Sequence, residues 1–312
     1  MLNFIKNNFQ KILGLVVVVL FTGYFILNIK SFKLLLDIKP LYLVLVALCY
    51  AAIVFTNGLF IKYVIEPFNK NIKTREAAHV SLLSSIGNFF ASSGAGLGFR
   101  AIYLKKKHDL SYQEYMITVY GNYLLIFICN AIFGISSLLL VRNKGGSAYT
   151  GLFLFFGALL VTSIALCFIR IPGEPKKARG FVGKGIDIIR EMTIGWSRIA
   201  RNKRLLMHLT LVIMIQIILS FCIAWLEIKS LSISIGLPEI LLLSILGSLS
   251  IFVSLTPANI GVKELIYIIT ATTIGLTTPE ILSISIVDRG VLFMALGILW
   301  LFIGRNKDTK TT

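Results

Sequence analysis

The chain has 312 residues, of which 56% are hydrophobic and 14% are charged, and its mean hydropathy is +0.85. These values exclude an ordinary soluble domain and indicate a polytopic membrane protein. The formal net charge of +17 would suggest nucleic acid as the partner of a soluble protein, but in a membrane protein it is interpreted loop by loop, and no nucleic-acid partner is expected.

Apolar runs long enough to cross a hydrocarbon core of about 30 Å recur along the whole chain, and they predict an all-α fold with about seven transmembrane helices. The predicted spans are residues 12–29, 41–61, 115–141, 151–171, 205–226, 239–255 and 281–303. The first run has a basic start but no small-residue cleavage site, so we interpret it as a retained helix and not as a signal peptide.

The basic residues predict the topology. With the N-terminus in the cytoplasm, 23 Lys and Arg residues fall in cytoplasmic segments and six fall in external loops. This positive-inside distribution places both termini inside a cytoplasmic membrane, bacterial or archaeal. Lys263 and Arg289 belong to neither group because their surroundings are apolar.

The segment at residues 78–104 contains the stretch "SSGAGLGFRAIYLKKK", which puts glycines and small polar residues where a span is expected. The loops on both sides, near Arg75 and Lys105, are basic, so the segment is expected to enter and leave on the cytoplasmic side as a re-entrant hairpin of two half-helices. Irregular backbone at this depth persists only beside protein or a water-filled cavity, so a cavity is expected. The alternative is that Gly94 and Gly98, spaced as G-x-x-x-G, let two full helices pack closely.

Residues 172–204 are the longest polar interval. Basic side chains occupy one face of a predicted helix there. The opposite face is apolar, with side chains at helical spacing: Val182, Ile186, Ile189, Met192, Trp196 and Ile199. A basic amphipathic helix with a Trp is expected to lie on the anionic inner leaflet, and the alternative is a solvated cytoplasmic linker.

An internal repeat supports the hairpin interpretation. The sequence "SGAGLGFR", Ser93 to Arg100, aligns without gaps with "TPANIGVK", Thr256 to Lys263. Charge places the two copies in opposite orientations, which predicts an inverted repeat and a transporter with its site at the repeat interface. The single membrane domain, 1–312, then divides into a first part at 12–171 and a second part at 205–303, with a broken or re-entrant segment at 239–276.

Charged residues inside apolar segments are costly and usually functional. We expect Arg100 and Lys263, each after a glycine at the start of a half-helix, to present cations beside helix N-termini to a lipid phosphate. Glu264 and Asp288 would hold the basic groups or contact a cationic headgroup. The alternative is purely structural pairing of Lys263 with Asp288 and of Glu264 with Arg289.

The motifs "TPANIGVKE" and "GLGFRAIYL" resemble signatures of the lysylphosphatidylglycerol synthase transmembrane, or flippase-like, family. The resemblance spans most of the chain. It implies a helical fold with two re-entrant hairpins that transfers anionic or aminoacylated phospholipid between leaflets. Carried over by residue, it indicates Gly98, Arg100, Pro257, Asn259, Gly261 and Glu264, with Asp288 and Arg289 as an acidic-Arg pair. The equivalent of that pair in the first half is the uncharged Gly121-Asn122.

The motifs and the intramembrane charges together define a candidate headgroup site. Its residues are Asn88, Ser93, Gly96, Gly98, Arg100, Thr256, Pro257, Asn259, Gly261, Lys263, Glu264, Asp288 and Arg289. The best-known members of the family carry a soluble aminoacyltransferase domain, which this sequence lacks, and no catalytic set is identifiable. We therefore expect a lipid flippase-like transporter and not an enzyme.

The sequence predicts no cofactor and no metal site, because the three His and four Cys are scattered and no nucleotide-binding motif occurs. Transfer is then driven by gradients or runs downhill. The expected partners are membrane phospholipids, and a homo-oligomer and a separate aminoacyl- or glycosyltransferase are compatible with this interpretation. Two other functions stay open: a non-transporting scaffold in glycolipid or cell-surface polysaccharide assembly, and an integral-membrane lysyltransferase-like or lipid-carrier transferase.

Overall fold

The computed structural model of the chain confirms an all-α membrane fold, since its described residues form helices and no strand. The structure describes residues 35–91, 94–142, 145–169, 181–253 and 256–304, without the side chains of residues 181–189, 198 and 257. Within these ranges five helices are long and apolar enough to cross a membrane. The predicted first span, 12–29, lies outside the described residues.

The five long helices correspond to five of the predicted spans. They are α1 (Pro40–Ile65), α4 (Tyr112–Leu140), α5 (Gly146–Phe168), α7 (Lys203–Ser230) and α11 (Thr278–Leu299). Local sequence explains where they begin: proline occupies the first turn of α1 and α11, where its missing N–H has no intrahelical partner to lose. At the start of α4, Ser111 and Glu114 form a reciprocal capping box. Helix α1 packs along α7 and also contacts α11.

The described chain also contains six shorter α-helices, beside short 3-10 and π turns. They are α2 (Thr74–Phe90), α3 (Gly94–His108), α6 (Phe181–Arg201), α8 (Leu237–Ser250), α9 (Val262–Ile269) and α10 (Ala271–Ile274). Two pairs of these helices, α2 with α3 and α8 with α9, form hairpins.

The first hairpin occupies the segment in which the sequence predicts one. At its open end, Tyr103 and His108 of α3 each contact Glu76 of α2 at 2.9 Å. Burial alone would raise the pKa of Glu76, but its hydrogen bonds to His108 and Tyr103 hold that pKa below the ordinary value. At the tip, the N–H of Gly96 donates to Asn88 Oδ1 at 2.9 Å. The chain therefore enters and leaves this hairpin at the same end.

Close packing within this hairpin uses a different glycine from the one that the G-x-x-x-G spacing suggests. Among the described residues, a Cβ atom at Gly94 or Gly98 would meet no atom within 4 Å. A Cβ atom at Gly96 would collide with the carbonyl oxygen of Ser84 and the side chain of Asn88. Within the described parts of the chain, close packing therefore uses Gly96, and Gly94 and Gly98 make no such contact.

The second hairpin begins with α8, whose 14 residues extend about 21 Å at 1.5 Å per residue. This is shorter than a hydrocarbon core of about 30 Å. With the 3-10 turn that follows it, the apolar helical run covers Leu237–Val253 and is shorter than the five long helices. A complete span at 239–255 stays a prediction. Ala258, Asn259 and Gly261 have positive φ angles of 51°, 56° and 88° and turn the chain into α9.

The two hairpins share a contact that supports the internal repeat. The alignment that pairs Ser93 with Thr256 also pairs Gly87 with Ser250 and Gly96 with Asn259. In the first hairpin a Cβ atom at Gly87 would lie 3.4 Å from the nitrogen of Gly96. In the second, Asn259 Nδ2 donates to Ser250 Oγ at 2.6 Å. The two arms therefore approach each other closely at the same aligned positions in both copies.

Helix α6 covers the predicted amphipathic segment, and its described part packs on protein. Trp196 is 2% exposed and lies over Gly121 of α4, and Ile199 is also buried. The expectation that this Trp faces the inner leaflet is therefore wrong. The earlier apolar positions, Val182 to Ile189, have no described side chains, and the interfacial position of the helix stays a prediction.

Candidate functional site

An open cavity of about 340 Å³ lies between the tips of the two hairpins and helices α1, α7 and α11. Its wall combines apolar side chains, including Val54, Phe89, Ile223 and Leu292, with polar and charged ones, including Tyr50, Asn88, Glu227, Asn259, Lys263 and Asp288. Ligand sites commonly have such a mostly apolar wall with a few convergent polar groups.

An ion pair lies in the wall of this cavity. Lys263 Nζ, at the first turn of α9, binds Asp288 Oδ2 of α11 at 2.7 Å. The other oxygen of Asp288 accepts a hydrogen bond from the Tyr50 hydroxyl of α1. Lys263 Nζ also lies 5.6 Å from the centre of the Tyr267 ring, within the range of a cation–π contact. The pair thus joins three elements around one charged centre.

A second ion pair lies behind the cavity and fixes the turn of the second hairpin. Arg289 binds Glu264 through Nη1, and its Nε and Nη2 atoms each donate at 3.2 Å to the carbonyl oxygens of Ala258 and Asn259. Glu264 Oε2 accepts the N–H of Gly261 at 2.8 Å. Neither charged side chain lines the cavity, so this pair supports the turn that presents Lys263.

The cavity also contains an acid that the sequence did not single out. Glu227, near the end of α7, is 3% exposed and lines the wall. Among the described residues no donor reaches its Oε1 atom. It interacts electrostatically with Asp288 and Lys263. The cavity therefore contains two carboxyl groups and one ammonium group.

The profile of the family described as "Lysylphosphatidylglycerol synthase TM region" matches residues 11–299. The chain belongs to this family. Comparison with curated proteins gives no match. The matched region includes both hairpins, all the helices described above and the cavity between them.

The second family motif, "TPANIGVKE", forms the turn of the second hairpin. Asn259 and Lys263 reach the cavity, whereas Gly261 and Glu264 shape the turn. The buried Thr256 supports it as well, because its hydroxyl donates to the carbonyl oxygen of Ile260 at 2.6 Å. The side chain of Pro257 is not among those described. The carboxylate of Glu264 accepts the Gly261 N–H at the N-terminus of α9. An acidic group of the protein itself therefore lies where the sequence predicts a lipid phosphate.

The first family motif, "GLGFRAIYL", lies outside the cavity wall. Its Arg100 lies in a separate narrow crevice with Tyr115 and Asn122 of α4, whereas Asn88, eight residues before the motif begins at Gly96, reaches the cavity. Helix α3 begins at Gly94, so the expectation that Arg100 begins a half-helix is wrong. Ser93 is outside the described residues. Lys263 and Arg100 therefore do not share one pocket, and the role of each in lipid binding stays a prediction.

Two residues of the charged centre were missed in the sequence. Glu227 follows the apolar run 205–226 directly, and a lone carboxylate at the edge of such a run is a usable signal. Tyr50 gives no comparable signal, because tyrosine is common in membrane helices and only the packing of α1 on α11 brings it to Asp288.

Proposed function

We propose that the chain moves a phospholipid, anionic or aminoacylated, between the leaflets of the cytoplasmic membrane, with the headgroup passing through the cavity between the hairpins. In this proposal both hairpins are re-entrant, and the protein acts as a transporter and not as an enzyme. The position of the Lys263–Asp288 pair in the open wall carries the proposal.

The chemistry of the wall supports this choice of substrate. A phospholipid headgroup is charged, and its acyl chains stay in hydrocarbon, so its path must offer polar partners beside apolar surface. The ammonium group of Lys263 is bound by one carboxylate, and a lipid phosphate in the cavity would compete with that carboxylate for it. Asp288 keeps the hydroxyl of Tyr50 as a hydrogen-bond donor during this competition.

Leaflet transfer of labelled phosphatidylglycerol in proteoliposomes tests the proposal. Wild type is expected to transfer the lipid. Lys263→Ala should slow transfer about tenfold or more, the effect of losing one charged hydrogen bond. Lys229→Ala is the matched control, because Lys229 is exposed at the end of α7 and does not line the cavity.

Two results would overturn the proposal. Folded wild type that transfers no phosphatidylglycerol, aminoacylated lipid or glycolipid would favour the scaffold function instead. Transfer that is equally fast in wild type and in Lys263→Ala would show that the lipid headgroup does not pass through the cavity.

A further inference from the structure

Glu227 is the buried acid that the ion pairs of the cavity leave uncompensated. Lys263 binds Asp288 at 2.7 Å, and Arg289 binds Glu264. Within the described parts of the chain no basic side chain forms an ion pair with Glu227, and its Oε1 atom lacks a donor. The side chain is nevertheless 3% exposed, and it faces the cavity.

The groups that face Glu227 come from three other elements. Tyr50 belongs to α1, Lys263 and Tyr267 to α9, and Asp288 to α11, and each interacts with it electrostatically. The hydroxyl of Tyr50 donates its hydrogen bond to Asp288, and the ammonium group of Lys263 binds the same carboxylate. An ionised Glu227 would therefore give this centre a net charge of −1, which is costly away from bulk water.

The missing positive charge is better supplied by a proton than by a metal ion. Calcium takes six to eight oxygen ligands, and magnesium requires near-ideal octahedral coordination. The described residues contain no group of three or more His, Cys, Asp or Glu side chains arranged to hold a metal ion. A proton needs only the one free oxygen that Glu227 offers and water in the cavity to deliver it.

We propose that Glu227 is a proton-binding site of the cavity and that its proton is exchanged during lipid transfer. The carboxylate takes a proton from hydronium, leaving water, and the uncharged acid neutralises the centre. Loss of the proton to water restores the carboxylate and one negative charge. The coupling of this exchange to lipid movement rests on the proposed function, whereas proton binding itself does not.

Infrared difference spectroscopy of the protein in nanodiscs tests proton binding without any transport. Between acidic and alkaline pH, wild type should gain and lose the C=O stretch of a protonated carboxyl group. Glu227→Gln should remove one such band and Glu227→Asp should shift it. Glu239→Gln is the control: Glu239 is also buried and its Oε2 atom also lacks a donor, but it lies outside the cavity wall, so this variant should keep the Glu227 band. A Glu227→Gln spectrum identical to that of wild type would overturn the site.

A pH gradient across proteoliposomes tests the coupling. A gradient of one unit should shift the steady-state leaflet distribution of the lipid by up to about tenfold in wild type, the most that one proton per lipid allows. In Glu227→Gln the gradient should have no effect. If wild type transfers lipid but the pH gradient does not change the leaflet distribution, coupling is overturned and the proposed function is kept. If wild type transfers no lipid at all, the proposed function is overturned, and proton binding is still decided by the infrared result.

Discussion

Lys263 and Arg289 are both half-buried cations with a carboxylate partner, but they occupy different sides of the second hairpin. Arg289 donates to the backbone of the turn and to Glu264, which in turn accepts a backbone N–H. Lys263 and Asp288 instead line the cavity. The Arg289 pair therefore stabilises the turn, and the Lys263 pair is the one available to a ligand.

The Lys263–Asp288 pair predicts a non-additive effect on stability. Lys263→Met should lower the free energy of unfolding by about 3–5 kcal/mol, because it leaves Asp288 buried and uncompensated. The double variant Lys263→Met/Asp288→Asn should lose less, because it removes both charges and keeps an acceptor for Tyr50. Denaturant unfolding in detergent measures both. A double variant as unstable as the sum of the two single variants would contradict the pairing.

Gly96 and Gly98, two residues apart on α3, predict opposite responses to alanine. Gly96→Ala should cost about 1–3 kcal/mol, because the new methyl group collides with Ser84 and Asn88 of α2. Gly98→Ala should be neutral or stabilising by up to about 1 kcal/mol, because the space is open and alanine favours helix. Thermal unfolding in detergent compares them, and equal losses would contradict the hairpin packing.

For single residues, the sequence identifies the members of the site more reliably than the partners that each of them contacts. Charges are rare in apolar runs, so the sequence makes four residues recognisable and allows both of their pairings: Lys263, Glu264, Asp288 and Arg289. Their division between cavity and turn depends on the irregular backbone at residues 256–261, which spacing does not specify. Arg100 was placed with Lys263 by sequence likeness alone, and helix α3 directs it to α4 instead.

The hairpins show what can be predicted of an element. The basic loops on both sides of residues 78–104 predict a chain that returns to the side from which it came, and the contacts of Glu76 with α3 agree. The second hairpin is harder to predict, because the run at 239–255 has the length of a span. Its helix ends at Ser250, and the chain turns at Ala258, a residue whose positive φ has no sequence signature.

Helix α6 predicts a spectroscopic difference between two tryptophans. In a variant that keeps only Trp196, with Trp225 and Trp300 replaced by Phe, brominated lipids should quench the fluorescence weakly, because Trp196 is buried against Gly121. The matched variant keeps only Trp300, which is 43% exposed on a membrane helix, and should be quenched strongly. Equal quenching of the two variants would mean that the apolar face of α6 lies on lipid.

For the whole molecule, the sequence predicts the structural class and the internal repeat. Hydropathy predicts the five long helices to within a few residues, because the bilayer dictates their length and composition. The aligned motifs predict two similar hairpins, and the contacts at Gly87–Gly96 and Ser250–Asn259 agree with that alignment. The cavity position depends on how the hairpin tips meet α1, α7 and α11, which no local pattern encodes.

The predicted topology can be checked by labelling from each side. In a variant whose four cysteines are replaced by alanine, single cysteines at the exposed positions Lys73 and Lys106 should react with an impermeant maleimide only from the cytoplasmic side. A cysteine at Arg142, which is exposed at the end of α4, should react only from the outside. Labelling of Lys73 and Lys106 from opposite sides would contradict the re-entrant hairpin.

The most direct test of headgroup passage through the cavity blocks it with one bulky side chain. Ser248 lines the cavity, and Ser136 is exposed on the outer surface of α4. In proteoliposomes, Ser248→Trp should abolish leaflet transfer of labelled phosphatidylglycerol, while Ser136→Trp should transfer it at the wild-type rate. Undiminished transfer by a folded Ser248→Trp protein would show that the lipid takes another path.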